Sequence, residues 1–126
     1  MFRKIDHVEI VPSDFERSIA FYTEVLGFSV RERRTVAAPP IGDVVYLELG
    51  GSVLELLEFE GPAGLVAPGP RVGYRTMAIE VSDMDQALEY LAGKGIRASV
   101  APKQYGTSWR AEITDPDGIP IELRQW

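Results

Sequence analysis

The strongest constraint on this chain is that it is written twice. His7-Val8-Glu9-Ile10-Val11-Pro12-Ser13-Asp14 is matched by Thr76-Met77-Ala78-Ile79-Glu80-Val81-Ser82-Asp83, an offset of 69 residues. Gly27-Phe28 is matched by Gly95-Ile96 at an offset of 68, and Leu54-Glu55-Leu56-Leu57-Glu58-Phe59 by Ile121-Glu122-Leu123-Arg124-Gln125-Trp126 at 67. An offset that drifts by so little across half the chain is the mark of one supersecondary unit repeated, which any fold assignment must accommodate.

Each copy reads in the same order. A short alternating strand (5–11 and 75–81) leads to a Ser-Asp pair that offers an N-cap. Phe15, Ile19, Tyr22 and Leu26, and in the second copy Met84, Ala87, Leu88 and Leu91, recur at helical spacing. A glycine closes each helix, Gly27 or Gly95. Strand-like segments follow at 29–35, 44–49 and 53–59, then at 97–101, 109–114 and 120–125. Gly50-Gly51 is a two-residue hairpin turn, and Asp115-Pro116-Asp117-Gly118 a strong turn sequence. The order β-α-β-β-β, twice, predicts an α+β fold of two βαβββ modules in a single domain over 1–126. Module one is 1–60, the proline- and glycine-rich 61–73 is the linker, and module two is 74–126. Segments 36–43, 61–73 and 102–108 read as loops.

Strand alternation assigns faces. Val8 and Ile10 belong under the helix, with Leu54 and Leu56. His7 and Glu9 take the other face, as does Glu55. By the same rule Thr76 and Glu122 oppose the second helix. With Gly50-Gly51 as the turn, Leu49 pairs with Ser52, Tyr46 with Glu55 and Glu48 with Val53. Cross-strand partners share a face, so Tyr46 stands beside Glu55. In the second copy Trp109, Ala111 and Ile113 are expected to share a face near Glu122.

Composition narrows the function classes. The chain of 126 residues carries a net charge of -6, which disfavours a phosphate backbone as partner, so nucleic acid is not expected. No apolar run is long enough to span a membrane, no signal peptide is visible, and the cytoplasm is the expected location. There are no cysteines, which removes disulfides, thiolate metal sites and a cysteine nucleophile. The basic cluster Arg31, Arg33 and Arg34 reads either as a solvated strand end or as a docking point for an anionic tail such as a carboxylate or phosphate. Tyr46, Tyr105 and Trp109 read as substrate-binding candidates or as ordinary packing.

The doubled pattern, His7 in the first strand, "AFYTEVLGF" at 20–28, "LEL" at 54–56 and "DPDGIPIEL" at 115–123 together resemble the vicinal oxygen chelate superfamily, which includes glyoxalase I, epimerases and bleomycin-resistance proteins. The resemblance covers essentially the whole chain. It implies an open, barrel-like cup of two βαβββ modules, a small-molecule substrate or ligand, and a homodimer. It also implies a divalent metal ion (Mn, Mg, Fe, Co, Ni or Zn) held by first- and last-strand residues of each module. Carried over position by position, the ligands are His7, Glu55 and Glu122. The fourth position falls on Thr76, where metal-binding members usually have histidine, and His7 is the only histidine in the chain. One nitrogen and two carboxylates make a harder donor set than a typical zinc site. Glu122 is the expected catalytic base, its pKa raised in a partly desolvated cleft, with Glu9 as the alternative.

Two functions follow from the resemblance. One is a metal-dependent lyase or isomerase of the glyoxalase–epimerase type, acting through an oxyanion or enediolate. The alternative is a metal-free protein that binds or sequesters a small molecule or drug, as in the bleomycin-resistance branch.

Overall fold

In the computed structural model, which describes residues 1–67 and 69–126, the chain forms two compact units, Met1–Gly64 and Leu65–Trp126. Each is a four-stranded mixed sheet with helix packed on one face, so the α+β, two-module βαβββ architecture is the one expected.

Unit one contains β1 (Val8–Ile10), α1 (Phe15–Ala20) continued by a π-helical turn (Phe21–Val25), β2 (Ser29–Ala38), β3 (Ile41–Leu49) and β4 (Ser52–Phe59). The sheet order is β1-β4-β3-β2, with β1 and β4 parallel and the other pairs antiparallel. Asp14 caps α1 by accepting from the Arg17 amide at 3.0 Å, a contact of the kind that stabilises a helix by about 1 kcal/mol. The expected α-helix through Leu26 gives way after Ala20. The Leu26 amide reaches back five residues to the Phe21 carbonyl, and the turn buries Phe21 and Tyr22 together. Tyr22 is fully buried and meets Phe21 and Phe28 edge to face. Beneath them lie Ile10, Val45, Leu47, Leu54 and Leu56, all buried. Each such side chain contributes roughly 1.5–3 kcal/mol on leaving water.

The register of the β3–β4 hairpin follows from its turn. Gly50 and Gly51 both have positive φ (56° and 83°), which a two-residue turn of this hand requires. Leu49 therefore pairs with Ser52, Glu48 with Val53 and Tyr46 with Glu55.

Unit two contains β5 (Met77–Glu80), α2 (Met84–Gly93), β6 (Val100–Tyr105), β7 (Ser108–Thr114) and β8 (Pro120–Gln125), ordered β5-β8-β7-β6. Asp83 caps α2 by accepting from the Gln86 amide at 2.9 Å. Met84 and Leu91 of the helix are buried, as are Ala111, Ile113, Ile121 and Leu123 of the sheet.

Three expectations need correction. Segments 36–43 and 102–108 are mostly strand: β2 and β3 are joined by a Pro39-Pro40 turn, and β6 and β7 by Gly106-Thr107. The first strand of each unit is shorter than expected, so His7 and Thr76 sit one residue before β1 and β5. Trp109 does not share a face with Glu122. The register pairs Trp109 with Gln125, Ala111 with Leu123 and Ile113 with Ile121, so all three lie on the core-facing side.

Candidate metal and substrate site

Because β1 runs parallel to β4 with Glu9 opposite Glu55, the non-helix face of unit one gathers His7, Glu9, Glu55 and Tyr46. The His7 Nε2 atom lies 3.0 Å from Glu55 Oε2 and 3.4 Å from Glu9 Oε1. Its other ring nitrogen, Nδ1, is 2.9 Å from Asp6 Oδ2. The Tyr46 ring meets the imidazole edge to face at 5.8 Å, and Tyr46 stands opposite Glu55 across β3 and β4. Glu55 is only 6% exposed. Among the described residues its side chain meets the His7 imidazole and the Tyr46 hydroxyl, and no arginine or lysine is paired with it.

These contacts set the proton affinities. The Asp6 hydrogen bond is the main force raising the His7 pKa, opposed by desolvation and assisted by Glu9 and Glu55. Asp6 is lowered in return, chiefly by the same bond. The hydrogen bond to Glu55 raises the Tyr46 pKa, because ionising the phenol would set two anions together.

A divalent ion fits this donor set. One atom from each of His7, Glu9 and Glu55 lies within 4.8 Å of the others. Ligands about 2 Å from a common ion are at most about 4 Å apart, so small side-chain rotations would close the cluster. Asp6 holds Nδ1 and leaves Nε2 directed at the carboxylates, the arrangement by which carboxylates orient metal-binding imidazoles. Asp6 and the proximity of Glu9 to His7 Nε2 are features that the sequence resemblance did not bring forward. The acidic neighbour of His7 was visible in Ile5-Asp6-His7, but only the folded structure shows that its side chain turns to Nδ1.

The corresponding face of unit two is built differently. Glu122 lies opposite Glu112, and Arg110 opposite Arg124. Like charges set directly across a ladder repel, and here each finds an opposite charge diagonally across the ladder or two residues along its own strand. Arg110 Nε donates to Glu122 Oε2 at 2.8 Å, while Arg124 Nη2 lies 2.7 Å from Oε1. Arg110 also binds Glu112, which Arg75 meets at 2.5 Å. Burial works to raise the Glu122 pKa, but the two guanidinium groups outweigh it and hold the group below its ordinary value. The expected upward shift is therefore reversed, and Glu122 is a weak proton acceptor. Thr76, at the position equivalent to His7, donates its hydroxyl to the Pro120 carbonyl at 2.6 Å. Tyr105 pairs with Ser108 at the end of β6, which places it on the Glu122 face, and Lys103 lies over its ring at 5.2 Å.

The repeat explains this contrast. The positions equivalent to Arg110 and Arg124 are Val44 and Leu57 in unit one, paired with each other and buried. Where unit two supplies two guanidinium groups to its strand glutamate, unit one supplies hydrocarbon. Among the described residues Glu55 is left to His7 and Tyr46.

Comparison with known proteins agrees with this architecture. The profile of the Glyoxalase/Bleomycin resistance protein/Dioxygenase superfamily matches residues 4–123. An uncharacterized Bacillus subtilis protein, YwkD, is 34% identical over 98% of this chain and 97% of its own length. The human mitochondrial methylmalonyl-CoA epimerase is 31% identical over 97% of this chain and 73% of its own. Among solved structures, a glyoxalase family protein from Enterococcus faecalis superposes with a TM-score of 0.84 at 26% identity, over 98% of both chains. Among the described residues no helix is long and apolar enough to cross a membrane.

Proposed function

Because the chain belongs to the Glyoxalase/Bleomycin resistance protein/Dioxygenase superfamily, we propose that it is a metal-dependent isomerase or lyase that moves a proton on the carbon next to a carbonyl. The observation that carries this reading is Glu55: a carboxylate 6% exposed, facing Nε2 of His7, with no guanidinium or ammonium partner among the described residues. A buried carboxylate balanced only by a titratable imidazole loses its counter-charge as the pH rises, and a divalent ion supplies one that persists. His7 and Glu55 would hold the ion, with the Glu9 carboxylate beside it. When bound, a divalent ion supplies Lewis-acid stabilisation of a developing oxyanion.

The chain's own groups do the rest. Asp6 fixes the imidazole through Nδ1. Tyr46 stands across β3 and β4 from Glu55, with its ring against the imidazole. Glu9 is the exposed carboxylate of the cluster, 3.4 Å from His7 Nε2, and its open rotamers let it take the proton from substrate carbon and return it. Glu122, clamped by Arg110 and Arg124, is not assigned that role. The identity of one relative as an epimerase supports the isomerase branch. The exposed apolar side chains Met1, Phe2 and Ile5 support pairing of two chains, which sedimentation would check.

One observation favours a metal-free ligand-binding protein instead: the donors of unit two are consumed internally, Thr76 by Pro120 and Glu122 by two arginines. Calorimetric titration of chelator-treated protein with Mn²⁺, Co²⁺ and Ni²⁺ separates the two readings. One ion per chain, lost in His7→Ala, is the expected result. Exchange of the α-proton of branched acyl thioesters in D₂O, followed by NMR, should then disappear in Glu9→Gln while ion binding persists. Absence of stoichiometric ion binding would leave the sequestering reading.

A further inference from the structure

Arg34 stands beside the His7–Glu55 cluster with its charge only loosely matched. It pairs with Val44 across β2 and β3, which puts it on the face of Tyr46 and Glu55. Its Nη2 donates to the Tyr46 hydroxyl at 3.3 Å, and its guanidinium carbon lies 5.6 Å from the Tyr46 ring centroid. Its contact with a carboxylate, Glu32 Oε1, is a long 3.9 Å. The neighbouring arginines are otherwise engaged. Arg33 turns to the helix side, where it meets Glu16 at 2.5 Å and Asp43 at 3.1 Å and covers Phe15. Arg31 falls at the irregularity between Val30 and Glu32, and its charge acts on Asp6.

We propose that Arg34, positioned by Tyr46, is a carboxylate-binding subsite, so that the ligand of this face is a carboxylic acid carrying its carbonyl towards His7, Glu9 and Glu55. The carbonyl end rests on the reading of the metal centre given above; the carboxylate end does not require the ion. The Tyr46 hydroxyl accepts from Arg34 and its ring stands against the His7 imidazole, so one phenol ties the guanidinium to the cluster. The Tyr46 bond uses one Nη2 hydrogen and leaves donors for an incoming carboxylate, whose two oxygens match the guanidinium fork. The surroundings select the charge of the ligand. Asp6, Glu9, Glu32 and Glu55 share this end of the sheet with Arg31 and Arg34, and that excess of acids suits a monoanion better than a dianionic phosphate or phosphonate.

The test uses acetoacetate, its neutral amide acetoacetamide, and acetonylphosphonate as probes. Binding to the full chain is followed by NMR and calorimetry, both with Co²⁺ and with chelator. Acetoacetate should bind about tenfold more tightly than the amide, the scale of a charged hydrogen-bonded contact at a partly exposed site. The preference should vanish in Arg34→Ala, survive in part in Arg34→Lys, and remain whole in Arg71→Ala. Tyr46→Phe should weaken it while keeping its sign. Equal binding of acid and amide, or a preference that survives Arg34→Ala, overturns the subsite. Tighter binding of the phosphonate overturns the assignment to carboxylate. An acid preference kept in chelator, with no ion binding at all, upholds the subsite and removes the metal centre, so the two failures are distinct.

Discussion

The Nε2 atom of His7 lies 3.0 Å from Oε2 of Glu55, and the Nδ1 atom of the same ring lies 2.9 Å from Asp6. An imidazole held between two carboxylates prefers its protonated form, and the His7 pKa is raised with the Asp6 hydrogen bond as the leading cause. In chelator-treated protein we expect its ring protons to titrate above the unperturbed value near 6.5. The sign for stability follows. A histidine raised in the folded state stabilises the fold fully below its unfolded pKa, and the contribution fades as pH rises through the folded value. Denaturant melts between pH 5 and 9, compared with His7→Gln, would show it. A titration at or below 6.5 would mean that the carboxylates do not hold the ring.

Asp6→Asn keeps the size of the side chain and removes its charge. In the proposed centre it should lower divalent-ion affinity by roughly 10–100-fold, as loss of a carboxylate behind a metal-binding imidazole generally does. The same substitution should bring the His7 titration down, since Asp6 is the main cause of its rise. Unchanged affinity with a lowered titration would assign Asp6 to proton affinity alone.

Arg110 bridges Glu122 and Glu112, both buried. Arg110→Ala leaves Glu122 with Arg124 and Glu112 with Arg75, and should cost about 2–3 kcal/mol at neutral pH. Glu122 is lowered in the folded state, so its pairing stabilises above the unfolded carboxyl pKa and is lost as pH falls through the folded value. The gap between wild type and variant should therefore narrow in acid. Equilibrium denaturation at pH 7 and pH 3 measures both terms.

Thr76 binds the Pro120 carbonyl at 2.6 Å and so ties the approach to β5 to the start of β8. Thr76→Val should cost about 1 kcal/mol and Thr76→Ser much less, because only the hydroxyl makes this bond. Equal losses would place the contribution in the methyl group.

The first half of the site was legible because its hairpin left no freedom. Gly50-Gly51 admits one register, and that register alone places Tyr46 beside Glu55. Trp109 went astray for the complementary reason. The loop from Asp115 to Ile119 closes on itself, with the Asp115 side chain accepting from the amides of Asp117 and Ile119 at 2.9 Å. Its length sets whether odd or even residues of β7 face Glu122, and a shift of one reverses every side chain. The apolar alternation of Ala111 and Ile113 against Ile121 and Leu123 carried the right answer. The two loops that proved to be hairpins were hidden by polar edge strands, since β2 and β6 are mostly exposed and lack an apolar face to read. Arg110 escaped notice because its contact with Glu122 runs diagonally across β7 and β8, which no spacing along one strand reveals, whereas Arg124 stands two residues from Glu122 on β8 itself.

Val44 and Leu57 in one unit, against Arg110 and Arg124 in the other, give two tandem copies unequal dependence on their surroundings. The second copy carries its own counter-ions, covalently, and its glutamate is balanced wherever it is ionised. On the proposed reading the first copy borrows its counter-ion from solution. Metal scarcity would then act on one half of a repeated sequence and pass the other by.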